Sequence, residues 1–207
     1  MKKEPVTLLF WGAVWGICEA TAGFALHLMA LALPGLPGAL MFPIGYLCMR
    51  QAQKSTGKAG APLYAALVAA SFKLADLLMP GYDLIRVVNP ALSIILEGLA
   101  VTAVCALRGE AEGRPSFPQV LGMGVLWRTA FSAHLYLTSL FGLPAALVTS
   151  GALTLLRFVL LESFFNSLVI RAGQRLALEF PARRPLEIRP AAALAASLAA
   201  LGLQAVL

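Results

Sequence analysis

Residues 90–107 read PALSIILEGLAVTAVCAL, an apolar run whose one charged side chain is Glu97. A helix needs about twenty apolar residues to cross the hydrocarbon core of a bilayer, which is about 30 Å thick. Pro90 begins the run, and we expect it in the first turn of the helix, where a missing N–H costs nothing. This stretch therefore predicts a transmembrane α-helix.

Apolar runs of this kind recur along the chain. Of its 207 residues, 59% are hydrophobic and 13% are charged, whereas a soluble domain carries about 25% charged residues. A water-soluble fold of this size could not hide so much apolar surface, so lipid is the expected solvent. The predicted fold class is all-α, a polytopic membrane helical bundle of six transmembrane helices, over residues 6–33, 39–50, 61–79, 90–107, 117–141 and 145–170.

The two ends of the chain need separate interpretation. Lys2 and Lys3 precede an apolar run with small residues at 20–22, which imitates a cleavable signal peptide. Because the run continues to residue 33, we interpret it as the first membrane helix. At the other end, a 17-residue run of mostly alanine and leucine is at the lower limit for a span. The sequence thus predicts a six-helix membrane domain, 1–190, and a C-terminal apolar segment, 191–207, which forms a seventh helix or lies in the interface.

Lysine and arginine are distributed unevenly between the predicted loops. Cytoplasmic loops of membrane proteins are enriched in these residues. With the N-terminus inside, the cytoplasmic segments hold 12 of the 16 lysine and arginine residues, and the external loops hold only Arg86. The topology explains the net charge of +6, and no nucleic-acid partner is expected. We predict a multi-pass protein of a bacterial-type plasma (inner) membrane with a cytoplasmic N-terminus.

Several polar side chains fall within the predicted spans, mostly in their outer halves. An ionisable group inside a bilayer is costly unless it is paired or hydrated, so each is a functional candidate. Asn89, Ser93 and Glu97 follow at steps of four and form a polar stripe on one helix. We predict a substrate pocket open to the outside, formed by Glu19, His27, Lys73, Asp76, Asn89, Glu97 and His134.

A structural interpretation of the same charges stays open. Lys73 and Asp76 are three residues apart, so they share a helix face and can neutralise one another. Arg128 and Arg157 can pair with Glu19 and Glu162 on other helices. Such pairs would staple the bundle together without binding anything. Glu97 and His134, which have no local partner, favour the functional interpretation.

Several familiar chemistries are absent from the sequence. It contains no GxxxxGK[ST], HExxH or GxSxG motif. Cys18, Cys48 and Cys105 all lie in apolar runs without CxxC spacing, so neither a disulfide frame nor a zinc site is expected. The two histidines are on separate predicted helices. We therefore predict no catalytic residue, no metal and no cofactor.

Gly12, Gly16 and Ala20 form a stripe of small residues at steps of four in the first span. Such a stripe lets another helix approach closely, either within the chain or on a partner. Together with the six-helix layout, the LPGLPG turn at 33–38 and the outward polar pocket, the stripe resembles the substrate-binding S component of energy-coupling-factor (ECF) uptake transporters.

The resemblance covers about residues 6–178 and implies a definite function. Members of this family bind a vitamin-like molecule from outside and dock on a transmembrane scaffold that two separate ATPases drive. Carried over by position, Gly12, Gly16 and Ala20 would form the docking face, and residues 34–42 would form a lid over the ligand.

Three hypotheses follow for the function. The first is a membrane substrate-binding subunit for uptake of a small vitamin-like molecule, which is not an enzyme and docks on a separate energising module. The second is an integral-membrane enzyme that uses Glu97 or Glu162 with His134 as acid and base. The third is a non-catalytic membrane assembly partner whose ion pairs are structural.

Overall fold

The structure is a computed structural model that describes residues 3–29, 36–79, 81, 83–107, 113–175 and 187–206. Within these ranges it is α-helical and contains no β-strand. Seven long helices follow one another, two of them with an internal π-helical turn. They are α1 (Lys3–Cys18, the π-turn Glu19–Gly23 and Phe24–Met29), α2 (Leu36–Thr56), α3 (Ala61–Leu74, then the 3₁₀ turn Ala75–Leu78), α4 (Leu84–Leu107), α5 (Phe117–Ser139), α6 (Ala152–Leu156, the π-turn Arg157–Leu161 and Glu162–Arg175) and α7 (Pro190–Val206).

Helix ends follow from local sequence. Ser116 and Gln119 form a capping box at the start of α5, in which the Gln119 side chain accepts the Ser116 N–H at 2.8 Å. After the end of α2, Gly57 adopts a φ of +71°, a conformation that costs other residues a steric penalty. These residues end one helix and begin another, so the chain can reverse direction between them.

Within the described ranges, four helices are long and apolar enough to cross a membrane: Glu4–Leu26, Ala61–Leu78, Leu84–Leu107 and Ala152–Arg175. This finding supports a membrane protein with several transmembrane helices. The helices α2 and α5 have sufficient length but are not among the four. The last seven residues of α2 are mostly polar, and α5 contains Arg128 and His134. The seventeen residues of α7 form a shorter apolar helix.

Some predicted helix boundaries were wrong. The second predicted span, residues 39–50, is too short, because this part of the chain is one helix of 21 residues, Leu36–Thr56, that continues through Pro43. The helix α4 begins at Leu84, which places Pro90 in its interior and not in its first turn. There the proline removes a backbone hydrogen bond within the helix. The last of the six predicted spans begins and ends later than expected, since its long helix covers Ala152–Arg175.

The core is aromatic where α1, α2 and α5 meet. Trp15, Phe42 and Tyr46 are fully buried, and Trp127 is nearly so. A Cβ atom at Gly45 would lie only 2.5 Å from the Trp15 ring, so the indole packs directly on the backbone of α2. The helix α3 packs against α1, α2 and α4, α5 packs against α4 and α6, and α7 packs along α1.

Polar contacts join several helix ends at one end of the bundle. Glu4, near the start of α1, forms an ion pair with Lys58 at 2.7 Å, just before α3. Arg50 of α2 donates to the Gly113 carbonyl at 3.1 Å, and Arg171 of α6 donates to the Pro115 carbonyl at 3.1 Å. Successive helices α1 to α6 therefore run antiparallel, with α1, α3 and α5 starting at this basic end.

Candidate functional site

A cavity of about 560 Å³ lies at the opposite end of the bundle, where α1 and α3 end and α4 begins. Its volume is within the range of about 300–1,000 Å³ that is typical of small-molecule sites. Ala20, Phe24, Ile85 and Pro90 contribute apolar wall. The polar side chains of the lining are Glu19, Lys73, Asp76, Arg86, Asn89 and Gln204.

Glu19 enters the cavity at the π-helical turn of α1. The Trp15 indole N–H donates to its Oε1 atom at 3.0 Å. A Cβ atom at Gly23 would lie 3.4 Å from the other carboxylate oxygen, so glycine keeps this side of the carboxylate open. π-helical turns are rare and occur frequently at functional sites, because the extra residue re-aims side chains.

Lys73 and Asp76 form the second polar group of the lining. The Lys73 ammonium donates to Asp76 Oδ2 at 2.7 Å. The Asp76 side chain is only 1% exposed, and its Oδ1 atom has no hydrogen-bond partner among the described residues. The predicted pairing of these residues is confirmed, and one buried acceptor is left over beside the cavity.

Asn89 connects the cavity to α5. Its Oδ1 atom lies 3.2 Å from Nε2 of the half-buried His134. The two residues are 45 positions apart in the sequence and lie on different helices. Both were predicted as site residues. His134 therefore lies behind Asn89 and is not part of the lining itself.

Glu97 lies two turns further along α4 than Asn89, on the same stripe. It is 5% exposed, and its Oε2 atom has no hydrogen-bond partner within the described part of the chain. It lies within electrostatic range of Glu19 and Arg128. Glu97 is thus a buried acidic group between the cavity and the centre of the bundle.

A second polar cluster surrounds Arg128 in the interior. This side chain is fully buried, and its guanidinium lies 4.3 Å from the centre of the Trp127 ring. It forms an ion pair with Glu162 at 3.8 Å and donates to three oxygen atoms: the Gly38 carbonyl, Ser163 Oγ and Asn166 Oδ1. The cluster joins α2, α5 and α6.

Sequence reasoning found part of this arrangement. Of the seven predicted binding residues, Glu19, Lys73, Asp76 and Asn89 line one cavity, and Glu97 and His134 lie close behind it. The His27 side chain is outside the described residues. Arg86 and Gln204 were missed as lining residues. The signal for Gln204 was a single amide in an otherwise apolar and small-residue helix.

The stripe of small residues is covered within the chain. A Cβ atom at Gly12 would lie 2.5 Å from the Val68 side chain, and one at Gly16 would lie 3.0 Å from the Phe72 ring. The helix α3 occupies this face, which favours internal packing over partner docking for both glycines. Ala20, the third member, is buried and lines the cavity.

The lid implied by the resemblance falls only partly within the described residues. Residues 36–42 are the first turns of α2, and 34–35 lie outside the described ranges. Phe42 is fully buried in the core. Residues 36–42 therefore form a packed helix and not a covering loop. Arg128 also donates a hydrogen bond to the Gly38 carbonyl in this segment.

The described residues limit the chemistry of the site. They contain no cluster of three or more His, Cys, Asp or Glu side chains that could hold a metal ion. The His134 ring lies at hydrogen-bond distance from the Asn89 amide oxygen. Within the described residues it forms no ion pair with a carboxylate. Neither Glu97 nor Glu162 therefore forms a direct hydrogen bond with His134 in the described part of the chain.

Comparison of the chain with protein-family models, with curated proteins and with solved structures gives no match in any of the three.

Proposed function

We propose that this chain is a membrane substrate-binding subunit that captures a small, vitamin-like molecule for uptake. The observation that carries the proposal is the cavity of about 560 Å³, in which four predicted binding residues from three helices come together. A concave site with a few convergent polar groups in an apolar wall is the usual form of a small-molecule site.

Six spans give the arrangement a consistent topology. The ion pair between Glu4 and Lys58 joins the starts of α1 and α3, which supports a topology in which α1 crosses the membrane and α2 returns across it. Arg171 reaches the Pro115 carbonyl, so α5 and α6 form a matching pair. The polar side chain of Arg128 on α5 faces the protein interior, as intramembrane charges do.

The distribution of charge supports an outward-facing cavity. Arg50, Lys58 and Arg171 mark the end opposite the cavity. Because basic residues are enriched on the cytoplasmic side, that end lies inside, in a bacterial-type plasma membrane. The cavity then opens to the outside, where a capture subunit meets its substrate.

Uptake against a gradient needs a source of energy. The sequence has no nucleotide-binding loop of the GxxxxGK[ST] type, which is consistent with a separate transmembrane scaffold and ATPases, as in the ECF transporters that the layout resembles. Since α3 covers Gly12 and Gly16, the docking surface would lie elsewhere on the bundle.

Identification of a co-purified molecule tests the capture function. The protein is purified in lipid nanodiscs and its small-molecule content is measured by mass spectrometry. A Gly23→Leu variant places a bulky side chain in the cavity lining beside Glu19, while Gly202→Leu on α7, where an added Cβ meets open space, is the matched control. Capture predicts a molecule that is present in the wild type and the control but lost from Gly23→Leu. Absence of any bound molecule, together with no saturable binding from a metabolite extract, would contradict the proposal.

A purely structural assembly role is the second candidate. It is favoured by the two ion pairs within the bundle, Lys73 with Asp76 and Arg128 with Glu162. In that case, replacement of Asn89 or Glu19 would change the abundance of the protein in the membrane and leave ligand binding absent in every variant.

A further inference from the structure

The acidic groups around the cavity exceed the cations that are paired with them. Lys73 lies within electrostatic range of Glu19, but its salt bridge goes to Asp76. Glu19 receives an indole N–H from Trp15 and no salt bridge from the described residues. Arg86 lines the cavity as an exposed side chain, where water screens its charge.

The deeper carboxylate adds to this excess. Glu97 is buried within electrostatic range of Glu19, and Arg128, the interior cation within its range, already forms an ion pair with Glu162. Two acidic groups, Glu19 and Glu97, therefore share one side of the site without a salt bridge of their own in the described structure. An uncompensated carboxylate in a low-dielectric interior is costly, so this side favours a positive charge.

Two buried polar atoms that have no hydrogen-bond partner among the described residues also border the cavity. Asp76 Oδ1 is an acceptor and Gln204 Nε2 is a donor, on side chains that are 1% and 4% exposed. Buried polar atoms usually have hydrogen-bond partners. Both residues line the same cavity, so a ligand with both an N–H group and an acceptor atom would satisfy them together.

We propose that the cavity binds a small organic cation, with a protonated nitrogen held by Glu19, an N–H group that donates to Asp76 and an acceptor atom held by Gln204. The proposal rests on the proposed capture function and names its substrate class. The Phe24 ring in the wall is compatible with a cation, since aromatic faces attract positive charge. A metal ion is a poorer occupant, because the described residues supply no group of three metal-ligating side chains and the wall is largely apolar.

Three fragments of equal shape test the charge preference. Benzylamine, benzyl alcohol and benzoate each carry one ring and one polar group and differ in charge. Because charge also changes their partitioning into lipid, each fragment is compared between the wild type and the variants. The shift in the thermal unfolding midpoint is measured for the full chain in nanodiscs over a concentration series, since a ligand that binds the native state stabilises it. We expect benzylamine to raise the midpoint of the wild type, and benzyl alcohol and benzoate to leave it unchanged.

Variants assign the effect to the site. Glu19→Gln keeps a side-chain oxygen for Trp15 but removes the charge, and it should weaken benzylamine binding by on the order of 30-fold or more, the usual result when a desolvated charge pair loses one member. Glu4→Gln, at the other end of α1, is the matched control and should bind like the wild type. Gln204→Leu should weaken cations that carry an acceptor, such as 4-(aminomethyl)benzamide, more than benzylamine.

The outcomes separate this proposal from the capture function. Equal stabilisation of the wild type and Glu19→Gln by benzylamine, or stronger stabilisation by benzoate, would overturn the cation assignment. A neutral or anionic molecule that co-purifies with the wild type and is lost from Gly23→Leu would overturn it as well, while capture would stand. If the wild type neither bound any fragment nor co-purified with a small molecule, both proposals would be contradicted.

Discussion

Arg128 and Glu162 form an ion pair at 3.8 Å between α5 and α6, in the interior of a chain that is otherwise largely apolar. Arg128 is fully buried, and its guanidinium also donates to the Gly38 carbonyl at 3.1 Å. One side chain thus fixes three helices relative to one another. Removal of either charge leaves the other buried without compensation, which is more costly than removal of both.

We expect Arg128→Met to lower the free energy of unfolding by about 3–5 kcal/mol, the usual cost of breaking a buried pair. The double variant Arg128→Met/Glu162→Met should lose less than the sum of the two single variants. The measurement is a double-mutant cycle of unfolding in detergent. Strict additivity would show that the two charges do not interact.

Lys73 and Lys58 allow a comparison between a buried and an exposed ion pair. The partner of Lys73, Asp76, is 1% exposed, whereas the partner of Lys58, Glu4, is 37% exposed. We expect Lys73→Met to destabilise the protein by on the order of 2–4 kcal/mol, because it leaves the buried Asp76 carboxylate without its cation. Lys58→Met should cost at most about 1 kcal/mol. Equal unfolding midpoints for the two variants would show that the burial of Asp76 does not matter for stability.

Gly12 sets the distance between α1 and α3. An added Cβ would lie 2.5 Å from the Val68 side chain and 2.8 Å from the Ala65 carbonyl, and a backbone atom cannot rotate away. We expect Gly12→Ala to destabilise the protein by about 1–3 kcal/mol through overpacking. Gly122→Ala on α5, where the added carbon meets nothing within 4 Å, should be neutral or slightly stabilising, because alanine favours the helix. If Gly12→Ala behaved like Gly122→Ala in a thermal unfolding assay, close packing at this position would be wrong.

Local rules predicted those parts of the site that lie on one helix. The pairing of Lys73 with Asp76 follows from their three-residue separation, and the stripe through Asn89, Ser93 and Glu97 follows from the helical period. Apolar length predicted an all-helical membrane protein. Each of these inferences needs only the geometry of a single helix.

Contacts between helices could not be predicted in the same way. Periodicity indicates which face of a helix is apolar or polar but does not name the neighbour that covers it. Gln204 lines the cavity because α7 packs along α1, and Gly12 is covered because α3 crosses it. Pro90 was misplaced because a proline is tolerated inside α4 when surrounding helices compensate for the lost hydrogen bond.

Asp83 and Lys58 lie at opposite ends of the bundle and can report the orientation of the protein. Asp83 is exposed just before α4, and Lys58 is exposed just before α3. Single cysteines at these positions, in a background with Cys18, Cys48 and Cys105 replaced by alanine, can be probed in intact cells with a membrane-impermeant maleimide. We expect Asp83→Cys to react in intact cells and Lys58→Cys to react only after the cells are broken, because the proposed topology places the basic end in the cytoplasm. The reverse pattern would place the N-terminus outside and turn the cavity toward the cytoplasm. An outward cavity could then no longer explain capture from the surroundings.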